Sequence, residues 1–201
     1  DSASGLRFHL LTAAEPIDLT ARYYAITGAP QQPAPWALGP WIWRNENKDQ
    51  AQVLDDIRKI RELDLATSAI WIDRPYATHV NSFDFNPARF PDPGSMIAKI
   101  HAAGLRLSLW HAPYLEPGSP DLPLAQQRGL FPKRTGVLLN GWSEPLDFTN
   151  PAALALWQDR VGRYIKLGIE GFKLDYGEDV MVGLGSARTG LSRGLRGGPH
   201  R

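Results

Sequence analysis

Lys173 and Asp175 stand two residues apart in the segment Gly171-Phe172-Lys173-Leu174-Asp175-Tyr176-Gly177-Glu178. Residues two apart in an extended strand face the same side, so the ammonium and the carboxylate share a face from which Phe172 and Leu174 point away. A neighbouring ammonium keeps a carboxylate ionised, which suits a nucleophile and does not suit a general acid. The plainer explanation is a structural ion pair, since charged pairs are tolerated where they are solvated or matched. A rival chemistry makes Lys173 a Schiff-base lysine, but the adjacent carboxylate raises the lysine pKa, the wrong direction for an amine nucleophile. Two further apolar runs end in Asp73 and Trp110. A lone aspartate there could equally begin a turn or cap the next helix.

The chain holds seven tryptophans in 201 residues, and Trp41, Trp43, Trp71, Trp110 and Trp142 fall at strand ends or in long loops. Indole faces suit the apolar faces of sugars and bind with little loss of side-chain freedom. Trp41 and Trp71 read as packing core, and Trp110 and Trp142 as the binding candidates. His79, His111, Asp73 and Asp175 are the only residues that could form a metal set, and they lack a paired spacing such as His-x-His, so no metal or other cofactor is called for. The 22 basic and 21 acidic residues leave a net charge of +1, which gives no global field for nucleic acid or an anionic membrane. No run approaches the roughly 20 apolar residues of a spanning helix. The expected partner is therefore a glycoside or oligosaccharide, with no nucleic acid and no membrane.

These residues need elements to position them, and the hydrophobic pattern supplies a repeat. A short apolar run is followed by an amphipathic stretch and a Gly or polar break, the mark of β/α units on a parallel sheet. Strands are expected over 36–43, 68–73, 105–110 and 169–175, with helices over 49–63, 95–103 and 151–167. Gly104 and Gly168 end the last two helices, and Pro151 begins the last, where its missing N–H costs least. Residues 111–150 contain six prolines and form a long insertion, usually a functional feature in a compact domain. Four such units make half of a (β/α)8 TIM barrel, a fold whose catalytic groups gather at the C-terminal strand ends. Residues 36–182 are thus expected to be a partial barrel. Residues 17–35 are expected to be a short helix and a Pro-rich linker, residues 1–16 a strand of a preceding domain, and the Gly/Arg-rich residues 183–201 a disordered or non-native tail. The absence of an initiator Met suggests part of a longer polypeptide.

Five blocks also occur in order: Pro35-Trp36-Ala37-Leu38-Gly39-Pro40-Trp41, Phe85-Asn86-Pro87-Ala88-Arg89-Phe90-Pro91-Asp92-Pro93, Leu109-Trp110-His111-Ala112-Pro113-Tyr114, Asp147-Phe148-Thr149-Asn150-Pro151 and Phe172-Lys173-Leu174-Asp175-Tyr176-Gly177-Glu178. Together they resemble glycoside hydrolase family 31 over about residues 17–180. The resemblance implies a β-sandwich before an eight-fold barrel, with residues 1–16 as the sandwich's last strand, and retaining hydrolysis of terminal α-linked glucosides or xylosides. It implies that Asp175 is the nucleophile, that Asp73 binds the sugar in the cleavage subsite, and that Trp110 and Trp142 line that subsite. Lys173 resembles the α-xylosidase-like branch, where other branches carry an aromatic.

In that family the acid/base is a second aspartate beyond a fifth strand, whereas Glu178 and Asp179 read as loop structure just after the nucleophile. Retaining chemistry uses two carboxyl groups about 5 to 5.5 Å apart, so the 201 residues alone are expected to be inactive or nearly so. An α-galactosidase-type barrel also uses a Lys-x-Asp strand, but the Asp147–Pro151 block argues against it. The non-enzymatic alternative is a carbohydrate-binding half-barrel.

Overall fold

The computed structural model describes residues 8–74, 76–133, 142 and 145–177, and divides into two compact units, 1–38 and 39–201. In the first unit α1 spans Pro16–Thr27, with proline in its first turn, and ends at Gly28 with φ 82°. None of its residues is buried. Residues 8–13 belong to no strand among the described residues, and residues 1–7 lie outside them. Residues 183–201 lie outside the described residues.

The strand expected over 36–43 is corrected to a 3-10 turn, Pro35–Leu38, followed by β1, Trp41–Arg44. Prolines 35 and 40 explain the change. Pro35 starts the turn, while Pro40 has no N–H for a ladder and contributes only its carbonyl, which accepts from Ser68 N at 2.9 Å.

In the second unit the order continues α2 (Gln50–Glu62), β2 (Ala69–Ile72), α3 (Pro93–Ala102), β3 (Arg106–His111), α4 (Leu122–Gln127), α5 (Pro151–Leu167) and β4 (Gly171–Leu174). The helices begin where their caps dictate. Asp49, Asp92 and Asn150 each accept a backbone N–H of the first turn, at 2.9, 2.9 and 3.0 Å. Gly168, at φ 107°, closes α5 in a left-handed conformation that other residues adopt at a cost. The short α4 inside the Pro-rich insertion was not expected. It is fixed from outside, because Asp121 at its start receives Nε and Nη2 of Arg160 on α5, both at 2.6 Å.

The four strands are parallel in the order β1-β2-β3-β4. Their register aligns Trp43 with Trp71, Trp71 with Ser108, Ser108 with Gly171, and Trp110 with Lys173. Side chains alternate across this sheet. Ile70, Ile72, Leu107 and Leu109 turn toward the helices and pack with Val53, Ile57, Ile60, Met96, Ile97 and Ile100, all buried. Trp41, Trp43, Trp71, Ser108, Trp110 and Lys173 fall on the alternate positions and so face the other way. Gly171 leaves room there, since a Cβ would meet Ser108 Cβ at 3.1 Å and Trp41 Cη2 at 3.3 Å.

His111 belongs to the helix side. It is fully buried, stacks on Phe83 at 5.6 Å between centroids, and lies among Trp157, Tyr164 and Phe172. Its Nδ1 is 2.9 Å from Asn81 Oδ1, and the amide of Asn81 donates to the carbonyls of Ala112 and Tyr114. Burial pushes the imidazole down to about 4 from 6.5.

Between those two values the unfolded chain binds a proton that the folded chain does not, so this residue's contribution is present above about pH 6.5 and is lost as the pH falls toward 4. The loss is on the order of 3 kcal/mol across the window. His111→Gln is expected to flatten the dependence of urea midpoint on pH in that interval. An unchanged slope would show that His111 does not govern it.

Candidate active site

Asp73 immediately follows β2 and Asp175 immediately follows β4, so both carboxylates sit at C-terminal strand ends. Asp175 is anchored by its own backbone, whose N–H donates to the carbonyl of His111 at 2.9 Å. Lys173 lies one turn of the pleat below and spans the two acids. Its Nζ is 3.0 Å from Asp175 Oδ2 and 3.4 Å from Asp73 Oδ2.

Indole N–H groups complete the arrangement. Trp110 Nε1 donates to Asp175 Oδ2 at 2.9 Å, while Trp43 and Trp71 donate to Asp73 Oδ2 at 2.8 and 3.3 Å. The backbone N–H of Tyr176 reaches Asp175 Oδ1 at 3.1 Å, and that of Arg74 reaches Asp73 Oδ1 at 2.9 Å. Each acid therefore accepts an indole N–H and the next residue's amide, and both share one ammonium. The ring pair Trp43 and Trp71, stacked at 5.5 Å, lies 5.7 and 5.9 Å from Lys173 Nζ and adds a cation–π attraction.

Partial burial pushes the Asp175 carboxyl up, but the Trp110 hydrogen bond, the Lys173 hydrogen bond and the Lys173 charge outweigh it and hold the group below the usual carboxylate value. Burial likewise pushes Lys173 down, and its two acidic neighbours reverse the direction and raise it. Both groups are charged at neutral pH. The ammonium form is no nucleophile, which argues against the Schiff-base reading.

A second tier of aromatic groups surrounds Trp110. Trp142 lies 5.5 Å from it and Tyr176 6.1 Å, both edge-on, while Trp142 and Tyr176 are 4.8 Å apart. Tyr176 takes a left-handed backbone with φ 59°, costly for an aromatic residue, and its carbonyl accepts from Tyr114 Oη at 2.9 Å. The strain is placed directly after Asp175, where it turns the chain out of the strand.

The sequence candidates Asp73, Trp110, Lys173 and Asp175 thus meet in one hydrogen-bonded cluster, with Trp142 joined through ring contacts. Trp71, read from sequence as packing core, instead donates to Asp73. Trp43, Arg74 and Tyr176 were missed. The alternation Trp41, Trp43 in β1 could have pointed to Trp43, and Arg74 directly follows the candidate Asp73. The remaining residues of the rejected metal set do not converge, because His111 turns to the helix side. Among the described residues no group of three His, Cys, Asp or Glu is placed to hold a metal. Glu178 and Asp179 lie outside the described residues.

Residues 30–193 match the family model described as the glycosyl hydrolases family 31 TIM-barrel domain. An α-xylosidase, XylQ, of Lactiplantibacillus pentosus is 26% identical over 185 residues, covering 87% of this chain and 24% of its own. Alpha-glucosidase 2 of Bacillus thermoamyloliquefaciens is 28% identical over 191 residues, 88% of this chain and 24% of its own. The crystal structure of a family 31 α-xylosidase from a soil metagenome, complexed with xylose, superposes with a TM-score of 0.74 at 24% identity, over 83% of this chain and 25% of the other. That likeness is one of fold. The chain spans about a quarter of the length of the curated relatives it matches.

Replacing Lys173 by Met leaves burial of Asp175 opposed only by its N–H donors. The carboxyl is expected to titrate at higher pH in the variant than in the parent, followed by the 13C shift of the Asp175 side chain. Titration at an unchanged or lower pH would show that Lys173 does not set its charge.

Proposed function

The chain belongs to the glycosyl hydrolases family 31 TIM-barrel domain, a family of α-glycosidases, and from that premise we propose that Asp175 is the nucleophile of a retaining α-glycosidase acting on terminal α-linked xylosides or glucosides. The observation that carries this reading is the Asp175 carboxylate itself. It stands at the end of β4, is held ionised by Trp110 and Lys173, and is oriented by two backbone hydrogen bonds on either side of the strand end.

In the proposed reaction a carboxylate oxygen of Asp175 attacks the anomeric carbon, forming a glycosyl ester as the bond to the leaving oxygen breaks. A second carboxyl group protonates that oxygen. The same group, now a base, takes a proton from the water that cleaves the ester. Each half needs its groups aligned before the bond changes, and the shared lysine fixes Asp73 and Asp175 relative to each other.

Asp73 is assigned to binding a sugar hydroxyl in the cleavage subsite. It already accepts two indole N–H groups, an amide and the ammonium, an environment built for an acceptor rather than for a proton donor. Trp110 is 3% exposed and offers its N–H to the nucleophile, so it is assigned to positioning Asp175. Trp142 is assigned to packing the sugar. The proton donor is assigned to an aspartate downstream of a fifth strand, so residues 1–201 alone are proposed to be inactive on ordinary glycosides.

A 5-fluoro-α-D-xylosyl fluoride needs no protonation of its leaving group and separates the nucleophile from the acid. Incubation with the chain is expected to add one fluoroxylosyl group to the peptide containing Asp175, seen by mass spectrometry and absent from Asp175→Asn. Labelling of another residue would overturn the assignment. With a nitrophenyl α-xyloside the 201-residue chain is expected to show no turnover, and hydrolysis abolished by Asp175→Ala would show that the acid is present within it.

A further inference from the structure

Arg74 stands one residue beyond Asp73, yet it contacts a different set of rings from Lys173. Its guanidinium lies 5.0 Å from the ring centroid of Trp142 and 5.8 Å from those of Trp110 and Tyr176. Its backbone is fixed by the hydrogen bond to Asp73, and the three rings restrict its side chain. Among the described residues the guanidinium forms no ion pair, although it is exposed and a carboxylate would be its natural partner.

Among the described residues its N–H donors meet no carboxylate, and a planar fork of donors fits a carboxylate or sulfate through two parallel hydrogen bonds. Beside it is a cavity of about 400 Å³, walled by Arg74, Trp110, Trp142, Asn81, Glu46 and Glu116 among others. Glu116 is already engaged, accepting Val80 N at 2.8 Å with His79 Nδ1 at 3.8 Å. Glu46 and Glu116 repel a free anion but accept hydrogen bonds from hydroxyl groups. A wall that combines a cationic fork, carboxylate acceptors and indole rings matches a ligand carrying both an oxyanion and hydroxyls.

We infer that Arg74 is a specificity residue that recognises an oxyanion, a carboxylate or a sulfate ester, on the sugar substrate. The inference rests on the proposed sugar site at Asp175 and narrows its substrate class to acidic glycosides. Arg74 has no part in bond breaking. It is one ring away from the nucleophile, since the Trp110 it overlies is the residue that donates to Asp175.

The test uses the 15N-labelled chain and follows the tryptophan indole and arginine side-chain N–H resonances at low salt. The probes are methyl α-D-glucopyranoside, methyl α-D-glucuronide, methyl α-D-glucopyranoside 6-sulfate and inorganic sulfate. At least one acidic glycoside is expected to bind about tenfold more tightly than the neutral one, as a charge-assisted fork requires. Which acid wins identifies the oxyanion. Arg74→Gln is expected to bring the affinity ratio of acidic to neutral glycoside down to about one, and Arg74→Lys, which keeps the charge without the fork, to fall between.

Equal affinity for neutral and acidic glycosides, or a preference that survives in Arg74→Gln, overturns the inference and leaves the sugar site standing. Inorganic sulfate binding as tightly as the acidic glycosides overturns it too, in favour of a general anion site. Failure of all three glycosides to shift the indoles overturns the sugar site along with it.

Discussion

A slip of one residue in the pairing of β3 with β4 would turn Lys173 and Asp175 to the helix side and bring Phe172 and Leu174 in their place. The register Trp110 to Lys173 is therefore the constraint on which the whole cluster rests. It is held from the helix side, where Leu107, Leu109 and Ile169 are almost wholly buried and could not be exchanged for charged neighbours. Gly171 adds to it, because a Cβ at that height would crowd Ser108 and Trp41. Apolar burial on one face of the sheet thus determines which charges meet on the other.

On that other face the balance is electrostatic. One ammonium and three indole N–H groups serve two carboxylates. Partial burial alone would favour the protonated acid, and the donors reverse that tendency at Asp175. Tryptophan does two jobs here. It supplies rigid donors to the acids, and its ring faces receive the cations Lys173 and Arg74.

The loops after β2 and β3 are tied together before they reach the site. Asn81, at φ 55°, spends its amide on the carbonyls of Ala112 and Tyr114 and its oxygen on His111. Tyr114 passes the connection on to Tyr176, the residue after Asp175. A buried histidine on the helix side is thereby part of the scaffold that aims Asp175, although it faces away from the chemistry.

The chain's own periodicity was enough to place four parallel β/α units, because burial on one face of each strand leaves a visible alternation and proline, glycine and acidic caps mark the helix ends. It also placed Lys173 beside Asp175, a relation two residues long. The start of β1 differs from the expected 36–43 because Pro40 falls inside that span and has no N–H for a ladder, and α4 is not legible because its anchor, Arg160, lies 39 residues away. The roles of Trp71, Trp43 and Arg74 were likewise not legible. Trp43 and Arg74 act through contacts with residues distant in sequence, Trp71 donates to Asp73 two residues on, and a residue's type does not say which neighbour its N–H or its charge will meet. Local pattern determined the strands and the face on which the charges stand; only tertiary register decided that one lysine would join two acids and that an arginine would lie on three aromatic rings.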